Sequence, residues 1–335
     1  MSVSDMCSSK QRLVTLPTTA SVAEALRTLD KNRILAVPLM SPKADVFVGF
    51  SDIKIGDDRV VGIISVLDLV AHVFRALTVD DGPLAVRARG ALATPVWRVL
   101  GSTDESLTLW AEEGGQGIET ALGPFAFGIH RSIVIPCEGT PKLLTQSDVL
   151  KYLLEKRTTS AELGRVLGRS LRELDLGSEN PLVKCTTSSR LTDVLGTMVQ
   201  RTVHAVAVVD GDNGLLLSTL SISDLRGISS AEELMSLEDI SVGEFLLRDQ
   251  LSATEAASDL VFPLPLTCRV DDTLGQIVDQ MLSRNVHRSW VVGKRPDAGP
   301  TILQGHGLPI GVVTYTDVIR IVYNTMYRWN HSSEF

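Results

Sequence analysis

Gly311-Val312-Val313-Thr314-Tyr315-Thr316-Asp317 is a short β-branched run that leads into a Thr, two residues, an Asp and a helical stretch. Three other stretches have the same form: Val61-Gly62-Ile63-Ile64-Ser65-Val66-Leu67-Asp68, Leu143-Leu144-Thr145-Gln146-Ser147-Asp148, and Ser218-Thr219-Leu220-Ser221-Ile222-Ser223-Asp224. Their aspartates are 80, 76 and 93 residues apart, the spacing of an internal repeat.

Upstream of each lies an amphipathic helix followed by an apolar strand. In the first repeat Ser21 and Glu24 form a capping-box pattern, Val22, Leu26 and Leu29 share one helix face, and Ile34 to Leu39 is the strand. The fourth repeat reads alike: Thr273 and Gln276 box the N-terminus, Leu274, Ile277 and Met281 form the stripe, and Val286 to Val292 is the strand. The third has Leu191, Leu195 and Met198, then Val203 to Val209. In the second, the weakest match, the helix is expected around Leu107, Trp110 and Ala111, with Ile129 to Ile135 as strand. Each repeat is thus strand, helix, strand, strand, helix, and half of such a unit cannot bury its faces alone, so repeats should pair. Pro42 to Arg59, Glu113 to Phe127 and Gly293 to Leu308 are polar or Gly/Pro-rich and read as surface insertions. The acidic stretch Glu232 to Glu244 links the third and fourth repeats, and Thr158 to Asn180 joins the halves.

The 335 residues suit about two domains, and 44% hydrophobic with 21% charged residues is the balance of a globular chain. Met1 to Arg12 has no apolar core of the kind a secretory signal needs, and no long apolar run follows, so a cytosolic or nuclear location is expected. Cys7, Cys137, Cys185 and Cys268 are too scattered for a zinc site or disulfide framework. The net charge of −8, carried mainly by residues 161–335, disfavours general attraction to nucleic acid or an anionic membrane. Phosphate binding therefore has to come from local basic residues.

The order strand, helix, strand, strand ending in Ser/Thr-x-x-Asp, helix resembles the CBS domain, four copies of which cover nearly the whole chain. The resemblance implies an α/β (α+β) fold with repeats at 8–75, 92–157, 178–230 and 260–328. These would pair into Bateman modules 8–157 and 178–328 in a disc-like, pseudo-symmetric arrangement. Four repeats without a catalytic domain are similar to the gamma subunit of AMP-activated protein kinase and its plant and fungal relatives. Ile34-Leu35-Ala36-Val37-Pro38-Leu39, Ile129-His130-Arg131-Ser132-Ile133-Val134 and Val286-His287-Arg288-Ser289-Trp290-Val291 match that family's strand segment.

An adenine nucleotide offers a ribose diol, a flat base and an anionic tail. By resemblance, Asp68, Asp148, Asp224 and Asp317 accept the ribose hydroxyls, and Ser65, Thr145, Ser221 and Thr314 contact ribose or phosphate. The following helix start suits an anion. The same tetrapeptide is an ordinary N-cap, and the two uses are compatible. The family's phosphate cations sit at the strand start, which reads Leu35-Ala36, His130-Arg131, His204-Ala205 and His287-Arg288. The first repeat lacks its cation there. A lone His such as His204 also has a structural reading.

The implied function is a non-catalytic regulatory subunit that binds AMP, ADP or ATP and regulates a kinase of the AMP-activated/SNF1-related type. Catalytic and scaffolding kinase subunits are the implied partners, and self-association of CBS modules leaves a homodimer open. No catalytic cofactor, nucleic acid or membrane is expected. A CBS scaffold with decayed nucleotide sites is the alternative. An enzyme is disfavoured by the lack of a P-loop, GxSxG, HExxH or metal cluster.

Overall fold

The computed structural model describes residues 2–7, 13–41, 53–55, 58–78, 82–107, 109–136, 139–177, 182–251, 261–293 and 307–326. Most of the expected insertions 42–59 and 293–308 lie outside them. Four sheets follow the four repeats. In each, a short first strand runs parallel to the second, which pairs antiparallel with the third. The register joins Leu16 to Leu39, Ala111 to Ile133, Lys184 to Ala207 and Thr267 to Trp290. The first sheet gains a small extra strand, Lys54–Ile55, beside Asp58–Ser65. Central strands such as Ala36–Ser41 and Ala205–Val209 are buried at every residue, as expected where helix and neighbouring strands cover both faces.

The crossover helices are Val22–Lys31, Ile118–Ala126, Leu191–Gln200 and Leu274–Ser283. Both predicted capping boxes form: Glu24 N–H donates to Ser21 Oγ at 3.2 Å and Gln276 N–H to Thr273 Oγ1 at 3.4 Å. The stripes Val22/Leu26/Leu29, Leu191/Leu195/Met198 and Leu274/Ile277/Met281 are buried. In the second repeat the helix is Ile118–Ala126, not the expected Leu107/Trp110/Ala111 region. Asp104–Leu107 is one separate turn and Ala111 opens a strand. Nor is Glu113 to Phe127 a loop. Ala121, Leu122, Phe125 and Ala126 are fully buried, because Ile118, Leu122 and Phe125 recur at helical spacing among the glycines. The third repeat also departs from expectation. Its Ser-x-x-Asp opens a single 3-10 turn, Ile222–Leu225, cut short at Arg226-Gly227. The acidic link instead carries helices Ala231–Ser236 and Val242–Leu251.

All four crossover helices end alike. Arg33, Gly128, Thr202 and Asn285 adopt φ of 53°, 99°, 51° and 52°. The next N–H reaches back to the helix: Ile34 to Leu29, Ile129 to Pro124, Val203 to Met198 and Val286 to Met281, at 2.9–3.0 Å. This is a Schellman closure with an apolar residue just after the turn. It delivers the chain to the strand start at a fixed repeat position. Thr202 is exposed, and its β-branched side chain is strained in the left-handed region. Thr202→Gly should therefore raise the unfolding free energy by about 1 kcal/mol, read by thermal melting. A loss of stability would show that the threonine side chain contributes more than its backbone strain costs.

The chain divides into two compact units. One holds 14–109 and 183–263, the first and third repeats; the other holds 1–13, 110–182 and 264–335, the second and fourth. Each has its own core. In the first, helix Val66–Thr78 packs on Leu191–Gln200. In the second, Tyr315–Met326 packs on Ile118–Ala126 and Gln146–Lys156, with Val318, Ile319 and Val322 buried. Compactness thus groups non-consecutive repeats through their helices, whereas the expected modules 8–157 and 178–328 follow chain order. Val3 to Cys7 joins the second-repeat core, held by Lys142 Nζ donating to the Cys7 carbonyl at 3.0 Å. No helix among the described residues is long and apolar enough to cross a membrane.

Candidate functional site

The ladder places each strand-start residue opposite the hydroxyl residue of its own turn: Ala36 to Ser65, Arg131 to Thr145, Ala205 to Ser221 and Arg288 to Thr314. The preceding residue is drawn to the same turn. The carbonyls of Leu35, His204 and His287 accept the N–H groups of Val66, Ile222 and Tyr315 at 2.9, 2.9 and 3.3 Å. His287 also stacks edge-on against Tyr315, with ring centroids 5.1 Å apart. His130 and Arg131 are half-buried at the corresponding place in the second repeat. The His-Arg pairs and the Ser/Thr-x-x-Asp turns are thus neighbours, brought together by the Schellman closure on one side and the ladder on the other.

In every repeat the aspartate caps the passage from strand to helix through Oδ2. That oxygen accepts the backbone N–H of Ser65, Thr145, Ser221 and Thr314 at 2.8–2.9 Å. It also accepts the hydroxyls of Ser65 at 2.8 Å, of Thr145, and of Thr314 at 2.7 Å. The capping use and a binding use are compatible because a carboxylate has a second oxygen. What that oxygen meets differs between repeats. Asp317 keeps 24% side-chain exposure, and its Oδ1 lies 3.6 Å from Arg320 Nη1. Arg320 is itself tied by Nε to the Ala126 carbonyl at 3.2 Å. The second and fourth turns touch each other, with Gln146 Nε2 donating to Thr316 Oγ1 at 2.8 Å. In the third repeat Arg248, from helix Val242–Leu251, donates to the Asp224 carbonyl at 3.0 Å and lies 4.0 Å over the Phe245 ring.

The first repeat is closed. Asp68 is 0% exposed, and its Oδ1 accepts the Thr103 N–H at 3.2 Å, the Thr103 hydroxyl at 2.5 Å and the Ser106 hydroxyl at 2.7 Å. Burial pushes this carboxyl above its usual range, and the bonds from Thr103, Ser106 and Ser65 oppose that shift. One residue from Ser106, Glu105 Oε1 meets His204 Nε2 at 2.9 Å. Sequence reading missed Thr103, Glu105, Ser106, Arg248 and Arg320. Only the Ser-Thr-Asp-Glu-Ser run at 102–106 carried a local signal, that of a helix start.

The sequence model of the CBS domain family matches residues 173–230 and 257–324, the third and fourth repeats. The chain is 28% identical over 362 residues to the SNF1-related protein kinase regulatory subunit gamma-like PV42b of Arabidopsis thaliana, covering 97% of this chain and 95% of that protein. It is 25% identical to the 5'-AMP-activated protein kinase subunit gamma of Saccharomyces cerevisiae, covering 93% and 86%. Among solved structures, protein MJ1225 of Methanocaldococcus jannaschii, described as a candidate archaeal homolog of g-AMPK, aligns with TM-score 0.69 at 18% identity, over 96% of this chain and all of that one. That likeness speaks for the fold. With four strand–helix–strand–strand sheets in register and matching turns, the chain has the fold of tandem CBS domains, matches the CBS family model over its third and fourth repeats, and is similar to the gamma subunits of AMP-activated and SNF1-related kinases.

Proposed function

We propose that the chain is a non-catalytic regulatory subunit that binds AMP, ADP or ATP at its Ser/Thr-x-x-Asp turns and conveys occupancy to a partner kinase of the AMP-activated/SNF1-related type, in the cytosol or nucleus. The observation that carries this reading is the ladder pairing of Arg131 with Thr145 and of Arg288 with Thr314, each beside a capping aspartate. It sets a cation, a hydroxyl and a carboxylate at one turn, the set a nucleotide's phosphate and ribose call for. Helices Gln146–Lys156 and Tyr315–Met326 start at these turns and add the positive end of their dipoles. In the third repeat the 3-10 turn offers little dipole, and His204 is engaged with Glu105. Catalytic and scaffolding kinase subunits are the partners in this reading, by analogy with the relatives' names.

The scaffold alternative is favoured by one observation, the closed first repeat. Thermal unfolding with AMP, ADP, ATP, NADH and S-adenosylmethionine separates the two. An adenine nucleotide at 100 times its dissociation constant should add about 2.7 kcal/mol to the unfolding free energy. No shift with any of the five would leave the scaffold.

A further inference from the structure

We propose, resting on the nucleotide reading above, that residues 103–106 are a built-in occupant of the first repeat's turn, standing where a free nucleotide would otherwise bind. The hydroxyls of Thr103 and Ser106 take the place of a ribose diol, and the Glu105 carboxylate takes the place of a phosphate.

Two neighbouring hydroxyls donate to the single oxygen Asp68 Oδ1, at 2.5 and 2.7 Å, which is the bond pattern a diol presents to a carboxylate. Glu105, one of the two residues between them, places a carboxylate oxygen 2.9 Å from the His204 imidazole, and its side chain is only 10% exposed. Four consecutive residues therefore consume two of the groups that the sequence marks for a nucleotide, Asp68 and His204, inside one compact unit.

The segment is built in and not merely leaning there. Gly101 N–H donates to Ser106 Oγ at 2.8 Å, which fixes the hydroxyl that faces Asp68. Leu100 lies over Gly62 in the strand Asp58–Ser65, so closely that a Cβ at position 62 would sit 2.9 Å from Leu100 Cδ2. A glycine inside the strand leaves room for the Leu100 side chain to pack there, which seats the start of the segment against the sheet. Donors carried on the same chain bind without the loss of translational freedom that a free ligand suffers. A ribose diol would have to displace all three donors at Asp68 Oδ1.

The test counts AMP bound per chain by calorimetric titration, for the unaltered chain and for Thr103→Ala/Ser106→Ala. The double variant should bind one AMP more per chain, and adding Asp68→Asn should remove that gain. An unchanged number in a variant that keeps its circular dichroism overturns the proposal while leaving the nucleotide reading intact. If the variant binds AMP and the unaltered chain does not, the occupant stands and the function proposed above fails for the intact chain. Binding by neither overturns both. Because emptying the pocket strips donors from a buried carboxylate, hydrogen exchange on the unaltered chain gives a second reading. Amides in 101–106 should keep their protection at saturating AMP, and exchange ten or more times faster with AMP would mean that ligand displaces the segment, against the proposal.

Discussion

Phe125→Ala should lower the unfolding free energy by about 3–5 kcal/mol, the cost of emptying a fully buried aromatic site. Phe125 is 0% exposed on the helix Ile118–Ala126 and belongs to the core that the second and fourth repeats share. The cost should sit near the upper end because the site has little freedom to collapse. Pro124 stiffens the backbone beside it, and helix Tyr315–Met326 packs across it, pinned there by the bond from Arg320 to the Ala126 carbonyl. Phe127, two residues on and 70% exposed, is the control, and Phe127→Ala should cost less than about 1 kcal/mol. Urea titration of both variants decides it. Similar midpoints would mean that Glu113 to Phe127 is the loop its composition suggests and not a helix.

That stretch also shows where the sequence is readable and where it is not. The first, third and fourth crossover helices announce themselves by their apolar stripes, two of them by a capping box as well. The second hides the same periodicity under Gly114, Gly115, Gly117, Gly123 and Pro124, residues whose backbone preferences outweigh pattern in any local reading. The four-fold Schellman closure leaves a local signal at Gly128 and Asn285, but a left-handed Arg33 or Thr202 is not what one expects at a position where glycine or asparagine is usual. The grouping of repeats leaves even less trace. It depends on helix faces far apart in the chain, such as Gly196 lying close enough to Phe74 that a Cβ there would be 2.8 Å from the ring. The site divides along the same line. Cap, hydroxyl and strand-start cation are fixed by neighbours and by one hairpin, so residue spacing exposes them. The closure of Asp68 comes from residues 35 and 38 positions away, and that of His204 from 99 positions away. No local pattern encodes such a meeting.

From this division comes the largest expected effect on binding. Arg288→Ala and Asp317→Ala should each weaken one AMP site by about ten- to a hundredfold, since a charge-assisted contact contributes about 1.5–3 kcal/mol. Asp68→Ala should leave AMP affinity within about twofold and act on stability instead. Chemically the three are a cation and two carboxylates at matching repeat positions, so only their surroundings separate them. Asp317 shares Oδ2 with its cap, keeps part of its surface open and has Arg320 within 3.6 Å. Arg288 stands opposite Thr314 at the first residue of its strand, at the mouth of the same turn. Asp68 has both oxygens filled by the chain's own donors and no exposed surface. Removing it takes from the buried hydroxyl of Ser106 its 2.7 Å acceptor, so the variant's melting temperature should fall although its nucleotide titration stays near that of the unaltered chain. Calorimetric titration with AMP beside thermal melting reads both quantities, and equal losses of affinity at all three positions would mean that the first turn opens to ligand after all.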